Sequence, residues 1–327
     1  MSAYLGIDVS KDWLDIALLR EYQAIEHGHF DNTAEGFHQL QHFLKKRKAQ
    51  AAHVCLEATG YYGLDVALFL HQAEYRVSVV NPARIKAYAD SQLSRTKTDS
   101  NDALLIADFC RTQQPEPWTP PPAEQQELQA LVRHLQNLND MRQQELNRRQ
   151  AGIPSQALLK TLDEHIAFLD HQIDDLLHQI HDHIEQHPHL RRQRELLTSI
   201  PGIGDITAFK LLAEIVDVTA FDSARQLAAF AGLTPRERRS GSSVRGRTRL
   251  SKRGSSRLRS ALYFPAIVAQ RHNPILQPFA QRLLAAGKSK LQVVAAVMRK
   301  LLHLVFGILK SGLPFDPHFL DKQATLS

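Results

Sequence analysis

Five of the eight residues from 115 to 122 are proline, and regular helices and strands rarely continue through such a segment. Proline-rich segments form stiff, extended connections between folded units. The pattern of the chain also changes here, because short apolar runs precede the segment and long helical repeats follow it. We therefore predict a domain of residues 1–114, a linker of residues 115–122 and helical regions beyond the linker.

Short apolar runs separated by polar turns fill the first thirty residues, and runs of this length favour strands. Asn32, with Glu35 three residues later, predicts an N-cap and capping box for the helix that follows. Strands predicted over residues 54–57 and 76–80 then alternate with helices predicted over 63–74, 83–92 and 99–110. This order predicts an α/β domain of the ribonuclease H type.

Four carboxylates lie at the ends of these predicted elements. Asp8 ends or follows the first strand and Glu57 ends the fourth, while Asp99 and Asp102 open a helix and share one of its faces. In a ribonuclease H-like sheet the ends of the first and fourth strands are adjacent, so the four side chains would converge. Carboxylates this close need cations, which predicts a Mg²⁺ site that could also accept Mn²⁺. Taken singly, Asp99 could instead be an N-cap, Asp102 a first-turn acid and Asp8 a turn residue.

Two apolar repeats with steps of three and four follow the linker, and they predict long helices over residues 123–190. The helices would form a coiled-coil hairpin or pair with a second subunit. His178 and His181 in the second helix could share a face and bind metal, although a solvated polar face is the commoner outcome. The repeats consist of Leu128, Leu131, Leu135, Leu138 and Met141, and of Ile166, Leu169, Ile173, Leu176 and Ile180.

The last region, residues 191–327, is predicted to be mainly helical. It contains an apolar-Pro-Gly-apolar-Gly segment at 200–204 that resembles the turn of a helix-hairpin-helix module. Gly202 and Gly204 would let a nucleic-acid backbone approach closely, and the next helix would offer free N–H groups to a phosphate. A simple helix C-cap and turn is the alternative.

Residues 235–259 form a strongly basic stretch with ten Arg or Lys side chains and a single acid, Glu237. Such charge density repels itself, so a polyanionic partner is predicted; the alternative is a solvated, flexible loop. The whole chain has a net charge of only +6, which shows that the excess is local. The ten side chains are Arg236, Arg238, Arg239, Arg245, Arg247, Arg249, Lys252, Arg253, Arg257 and Arg259.

Several classes of protein are disfavoured by the sequence. Cys55 and Cys110 are the only cysteines, so we expect no disulfide framework or zinc site, as in a reducing cytoplasm. A charge at Asp8 interrupts the first apolar run and argues against a signal peptide. The apolar segment 291–309 contains Arg299 and Lys300, which favours a buried or partner-facing helix over a membrane span.

Seven short motifs occur in the same order as in a known family. They are GIDVSK (6–11), LEATG (56–60), NP (81–82), KTDSNDA (97–103), SIPGIG (199–204), FAGLTP (230–235) and SGSSVRG (240–246). Together they resemble the DEDD transposases of the insertion sequence 110 family, which are related to Piv-type DNA invertases. The resemblance covers nearly the whole chain.

The resemblance implies a RuvC-like domain whose Asp8, Glu57, Asp99 and Asp102 bind Mg²⁺, a coiled coil for oligomerisation and a C-terminal transposase domain. Ser240 matches the family's nucleophile, which would attack DNA to form a phosphoserine link; Ser242 and Ser243 are rivals by residue type alone. Family members are guided by a noncoding bridge RNA that pairs with donor and target DNA. They act as dimers that assemble into tetramers, in which the serine of one subunit completes the acidic site of another.

Three other functions fit parts of the sequence. A metal-dependent nuclease or junction resolvase would use the four acids without a nucleophilic serine. A sugar- or acetate-kinase-like ATPase also begins with a motif like Gly6-Ile7-Asp8, but it would need a second glycine-rich phosphate loop. A nucleic-acid-binding protein without catalysis is the third alternative.

Overall fold

The computed structural model of the protein describes residues 2–21, 23–58, 62–91, 99–152, 155–240 and 244–318, with the backbone alone at residues 99, 100, 236–240 and 244–249. The chain forms two compact units, Met1–Pro120 and Pro121–Ser327. The first is an α/β unit and the second is mainly helical, as predicted.

A five-stranded mixed sheet forms the centre of the first unit. Its order is β3-β2-β1-β4-β5, in which β1, β2 and β3 pair antiparallel while β1, β4 and β5 pair parallel. The strands are β1 (Ala3–Val9), β2 (Trp13–Arg20), β3 (Glu26–Asp31), β4 (His53–Glu57) and β5 (Arg76–Val80). The helices are α1 (Ala34–Lys46), α2 (Leu64–Gln72), α3 (Pro82–Ser91) and α4 (Asp99–Gln113).

Helices cover both faces of this sheet. On one face, Leu40 of α1 and Leu70 of α2 pack into a core with Leu5 and Ile7 of β1. On the other face, α4 crosses β1 so closely that a Cβ atom added to Gly6 would lie 2.1 Å from the carbonyl oxygen of Ala103. Since no side chain fits into that space, glycine at this position allows the helix to rest on the strand.

The cap of α1 differs from the prediction. Thr33, not Asn32, is the N-cap, and its hydroxyl accepts a hydrogen bond from the backbone N–H of Gly36. The Asn32 amide instead donates to the carbonyl oxygens of Ser10 (2.9 Å) and Tyr62 (3.0 Å). Asn32 therefore joins two loops that are distant in sequence, and its neighbour caps the helix.

The proline-rich segment packs along β5. The backbone N–H of Trp118 donates to the carbonyl oxygen of Val77 at 2.7 Å, and the Ser78 hydroxyl donates to the carbonyl oxygens of Pro115 and Glu116. The beginning of this segment is therefore held against the first unit by hydrogen bonds to β5.

The second unit contains nine α-helices, a short 3₁₀ helix (Val218–Ala220) and a two-stranded hairpin within the described residues. The helices are α5 (Ala123–Gln150), α6 (Gln156–Gln186), α7 (Pro188–Thr198), α8 (Asp205–Glu214), α9 (Ala224–Phe230), α10 (Ser256–Ala261), α11 (Tyr263–His272), α12 (Leu276–Ala285) and α13 (Lys290–Ser311). The hairpin strands are β6 (Pro235–Ser240) and β7 (Val244–Leu250).

The two longest helices, α5 and α6, pack against each other as an antiparallel pair. Ion pairs join Arg142 to Asp170 and Arg149 to Asp163, so residues later in α5 meet residues earlier in α6. Leu128, Leu135 and Leu138 are buried as predicted, but Met141 is 45% exposed. A coiled coil in the strict sense stays a prediction.

The last helix, α13, is long and apolar enough to cross a membrane by length and composition. Its apolar side nevertheless lies in the core of the second unit, where Val297, Leu301 and Val305 are fully buried. The helix begins with a capping box between Ser289 and Gln292 and ends at Gly312, which adopts a left-handed conformation (φ +68°). This agrees with the predicted buried helix.

Candidate active site and nucleic-acid interface

Asp8 and Glu57 lie side by side at one edge of the sheet. Strands β1 and β4 run parallel with Ile7 opposite Leu56, which places Asp8 and Glu57 at the next paired position. Gly6 and Cys55 both contact α4. Asp8 lies two residues after Gly6 on β1, and Glu57 lies two residues after Cys55 on β4. Because side chains alternate along a strand, both carboxylates project from the face that α4 covers. Both are half-buried.

The first turns of α4 lie at the same end of the sheet. Ala103 rests on Gly6, whereas the Gln114 side chain, just beyond the other end of α4, donates to the Tyr4 hydroxyl at 3.0 Å. The helix therefore runs antiparallel to β1, with its beginning near Asp8. Asp102 precedes Ala103 and is half-buried, so it belongs to the same acidic end of the unit.

The structure thus brings Asp8, Glu57 and Asp102 to one end of one face, and none of the three is without an interaction partner. The Asp99 backbone begins α4, but its side chain lies outside the described residues. Among side chains that the structure describes, no group of three or more His, Cys, Asp or Glu is arranged to hold a metal ion. In the described part of the chain His178 and His181 belong to no such group either, and the His178 ring hydrogen-bonds the carbonyl oxygen of Asp174.

A buried, mainly apolar layer lies below the acids, with Cys55, Ile106 and Cys110 among its members. Cys55 and Cys110 are both buried as free thiols, and Cys110 donates to the carbonyl oxygen of His53 at 3.5 Å. The hydrogen bond with Cys110, followed by burial, raises the pKa of the Cys55 thiol above its ordinary value. Cys55 is therefore a neutral packing residue.

The basic stretch begins as a β-hairpin, which its charge pattern did not predict. Backbone pairing places Arg236 opposite Arg249 and Arg239 opposite Arg245, with an irregularity between Arg236 and Arg238. Arg247 lies within β7. The alternation in the segment VRGRTRL was the available signal, but a strand made of charged residues is easily mistaken for a loop.

Ser240 is the last residue of β6, opposite Val244, so its backbone stands at the tip of the hairpin. The turn that contains Ser242 and Ser243 lies outside the described residues, as do the side chains of Ser240 and the arginines of the two strands.

The root of the hairpin is fastened by hydrogen bonds to the end of α9. Ser251 N–H donates to the carbonyl oxygen of Thr234, and Ser255 N–H donates to that of Phe230 at 2.7 Å. Arg259, which the sequence grouped with the other basic residues, donates to the carbonyl oxygen of Ala231. Its guanidinium is therefore a structural clamp, whereas Lys252 and Arg253 are exposed.

Gly202 and Gly204 have different surroundings. Gly202 has a positive φ of +107°, and an added Cβ would lie 2.8 Å from the Cβ of Ala269 in α11. The buried Asn273 amide also donates to the carbonyl oxygen of Pro201 at 3.1 Å. Packing within the unit thus explains Gly202, while Gly204 is exposed at the beginning of α8 with no atom near its missing Cβ.

Comparison with known proteins gives two family matches. A DEDD transposase family model matches residues 5–154, and the model of the transposase IS116/IS110/IS902 family matches residues 194–281. The pilin gene-inverting proteins of Moraxella bovis and Moraxella lacunata are each 34% identical over 316 residues, which covers 96% of this chain and 97% of the relative. The transposase for insertion sequence element IS1111A of Coxiella burnetii is 25% identical over 297 residues, covering 82% and 78% of the two chains.

Proposed function

Because the chain belongs to the IS116/IS110/IS902 family of transposases, enzymes that cleave and rejoin DNA, we propose that it is a site-specific recombinase of an insertion sequence. In this proposal the Ser240 oxygen forms a bond to a DNA phosphorus while the bond from phosphorus to the 3′ oxygen breaks. The serine proton leaves, and the departing 3′ oxygen takes up a proton to become a hydroxyl. The phosphoserine link conserves the energy of the broken ester for rejoining.

The acidic end of the first unit is the observation that carries this proposal. Asp8 and Glu57 on adjacent parallel strands, with Asp102 at the beginning of a helix that rests on β1, form a set of oxygen donors of the kind that Mg²⁺ prefers. We assign Asp8, Glu57, Asp99 and Asp102 to hold Mg²⁺, or Mn²⁺ in its place, in a RuvC-like domain. A bound ion would neutralise charge that develops on the phosphate oxygens.

The hairpin arginines are proposed to bind DNA. Like charges at directly paired strand positions repel each other, and the pairs Arg236–Arg249 and Arg239–Arg245 are of this kind. A phosphate between such pairs turns the repulsion into attraction. We assign Arg236, Arg238, Arg239 and Arg245 to the scissile phosphate, and Arg247, Arg249, Lys252 and Arg253 to the flanking backbone. We also assign Gly204 to the proposed nucleic-acid surface. Gly202 contributes to this surface by shaping the turn that leads to Gly204.

A noncoding bridge RNA is proposed to select donor and target DNA by base pairing, since the resemblance of the motifs extends to RNA-guided members of the family. Homodimers would assemble into tetramers in which Ser240 of one subunit serves the acids of another. Exposed apolar side chains on the α5–α6 pair, Phe168 at 59% and Met141 at 45%, support self-association through these helices. We place this activity in the prokaryotic cytoplasm.

A covalent adduct tests the chemistry. Purified protein would be mixed with candidate RNA from the flanking noncoding DNA, labelled donor DNA with joined ends, and Mg²⁺. Denaturing electrophoresis is expected to show protein–DNA adduct, and amplification across the junction to show recombinant product. Ser240→Ala should abolish both, whereas the matched variants Ser242→Ala and Ser243→Ala should retain the adduct.

Two outcomes contradict this mechanism. An adduct that persists in Ser240→Ala assigns the nucleophile to another residue. Metal-dependent DNA cleavage without any adduct, unchanged in Ser240→Ala, indicates a nuclease that activates water at the acidic site.

A further inference from the structure

A cleft of about 1040 Å³ lies in the second unit at the root of the β6–β7 hairpin. Pro235 and Leu250, the paired residues at the base of the hairpin, form one side of it. The other lining residues lie in α9, α12 and α13 and in the segments that follow α9, β7 and α12. The cleft has the size of sites that take a drug-sized ligand or larger.

Five cations and no carboxylate line this cleft. They come from segments that are far apart in sequence, namely Arg225, Lys252, Lys288, Arg299 and Lys300. None of the five forms an ion pair within the described part of the chain, although ten pairs between Arg or Lys and Asp or Glu occur elsewhere in it. An anionic ligand would remove the repulsion among these charges.

Two polar atoms in the lining are buried without a hydrogen-bond partner. They are Nε of Arg299 and Nε2 of His303, one turn apart on α13. Buried polar atoms nearly always have partners, so each such atom calls for an explanation. Burial, followed by the charges of Arg299, Lys300 and Arg225, lowers the pKa of His303, so it is neutral at pH 7 and cannot balance an anion as a cation does.

The floor of the cleft is apolar, with Leu233, Phe279, Leu283 and Ala296 among its lining residues. A simple track for a phosphate backbone needs no such floor. The combination of a cationic rim with an apolar and aromatic floor suits a ligand that has both a phosphate and a flat apolar face. An unpaired nucleotide has both.

The position of the cleft relates it to the proposed nucleophile. Strand β6 has six residues from Pro235 to Ser240, so its ends are about 17 Å apart at about 3.4 Å per residue. A DNA strand advances about 3.4 Å per nucleotide in a duplex and further when it is unstacked, so this span corresponds to at most about five nucleotides.

We propose that this cleft binds an unpaired nucleotide of the DNA strand, within about five nucleotides of the phosphate that meets Ser240. The inference rests on the proposed function for the identity of the nucleic acid, because the hairpin that roots beside the cleft carries the residue proposed to act on DNA. In this role the cleft holds the strand on one side of the break while ends are exchanged.

Binding measurements on the full-length protein test this site without any cleavage. The probes are fluorescein-labelled single-stranded oligothymidylate of fifteen nucleotides, the matching duplex and oligouridylate of the same length, with fluorescence anisotropy as the readout. Ala296→Phe would fill the cleft without changing charge and is expected to weaken binding to the DNA single strand by about fivefold to 100-fold, the worth of one stacked base.

Lys300→Gln has a matched control on the same helix. Lys300 lies over the Phe279 ring at 5.7 Å inside the cleft lining, and Lys310 lies over the Phe306 ring at 5.1 Å outside it; both are exposed. Lys300→Gln should weaken binding and reduce the salt dependence by about 0.7 in the slope of log K against log salt, whereas Lys310→Gln should leave both unchanged. Thermal melting would establish that each variant is folded.

A photocrosslink locates the nucleotide directly. With 5-iodouracil in the DNA strand, peptides of α12 or α13 should carry the crosslink, and Ala296→Phe should remove it. Unchanged binding in both Ala296→Phe and Lys300→Gln, or crosslinks only outside these helices, overturns the proposal. A larger loss for oligouridylate than for oligothymidylate also overturns it, because the occupant is then RNA. If the Ser240 adduct forms but binding does not depend on Ala296 and Lys300, the proposed role of the cleft is refuted and the proposed function stands. If binding depends on these residues but no adduct forms, the proposed function is refuted and the cleft remains a nucleotide site.

Discussion

Gly6→Ala should separate the acidic residues with a single methyl group. The added Cβ would stand 2.1 Å from the Ala103 carbonyl oxygen and 2.3 Å from the Ala107 nitrogen. Ordinary contact begins near 3.4 Å, so α4 would have to move away from β1 by on the order of 1 Å. Both neighbours are backbone atoms, so no side-chain rotation can relieve the overlap.

The displacement acts on activity and on stability by different amounts. Overpacking of a core contact costs about 1–3 kcal/mol, which should lower the melting temperature without unfolding the unit. A shift of about 1 Å in catalytic geometry costs about 100-fold in rate, and Asp102 moves with α4 whereas Asp8 and Glu57 stay on the sheet. Adduct formation should therefore fall far more than the loss of stability explains.

Gly28→Ala is the matched control in the same sheet. Its nearest neighbours are side-chain atoms of Phe30 and Ile16, at 2.9 and 3.0 Å, which can rotate. The assay is the initial rate of adduct formation at a temperature where both variants are folded by circular dichroism. Wild-type activity in Gly6→Ala, or an equal loss in Gly28→Ala, would refute the dependence of activity on the position of α4 against β1.

Two further predictions concern the second unit. Asn273→Ala should lower the free energy of unfolding by about 2 kcal/mol, because it removes the buried donor to Pro201 and the acceptor of the Ile275 N–H. The surface variant Asn147→Ala is the control and should change this free energy little. Chemical denaturation measures both. Because the pKa of His303 is lowered in the folded protein, the unfolded chain binds a proton at His303 at a higher pH than the folded protein does. The free energy of unfolding should therefore fall as the pH drops below about 6.5, and between pH 7 and pH 5 it should fall less in His303→Gln than in the wild type. An equal fall in both proteins would contradict the burial of a neutral imidazole.

The sequence predicted most of the first unit because its signals are local. The alternating apolar runs and the acids that end them identified β1 and β4, and the register of those strands then places Asp8 beside Glu57. The N-cap at Thr33 was missed because Asn32, an equally good cap by type, is used in a contact between loops. A choice between two neighbouring capping residues depends on tertiary contacts that no local pattern contains.

Features that depend on distant residues were less predictable. Position 202 needs glycine partly because Ala269 packs against it. Ala269 lies 67 positions later, and nothing in the sequence near Gly202 predicts this contact. Arg259 looks like any other basic residue, although the structure uses it to hold Ala231. The cleft cations span residues 225–300, so only the folded chain shows that they face one space.

Hydrogen bonds at the base of the β6–β7 hairpin make it a self-contained insertion between α9 and α10. The chain enters the hairpin after α9 and leaves it before α10, and the bonds from Ser251 to Thr234 and from Ser255 to Phe230 close it at the base. A hairpin closed in this way can change length at its tip with little cost to the fold, since doubling a loop adds only about 0.6 kcal/mol of closure entropy. Hairpins could therefore be exchanged between relatives as cassettes, with the reach of the tip as the variable to be engineered.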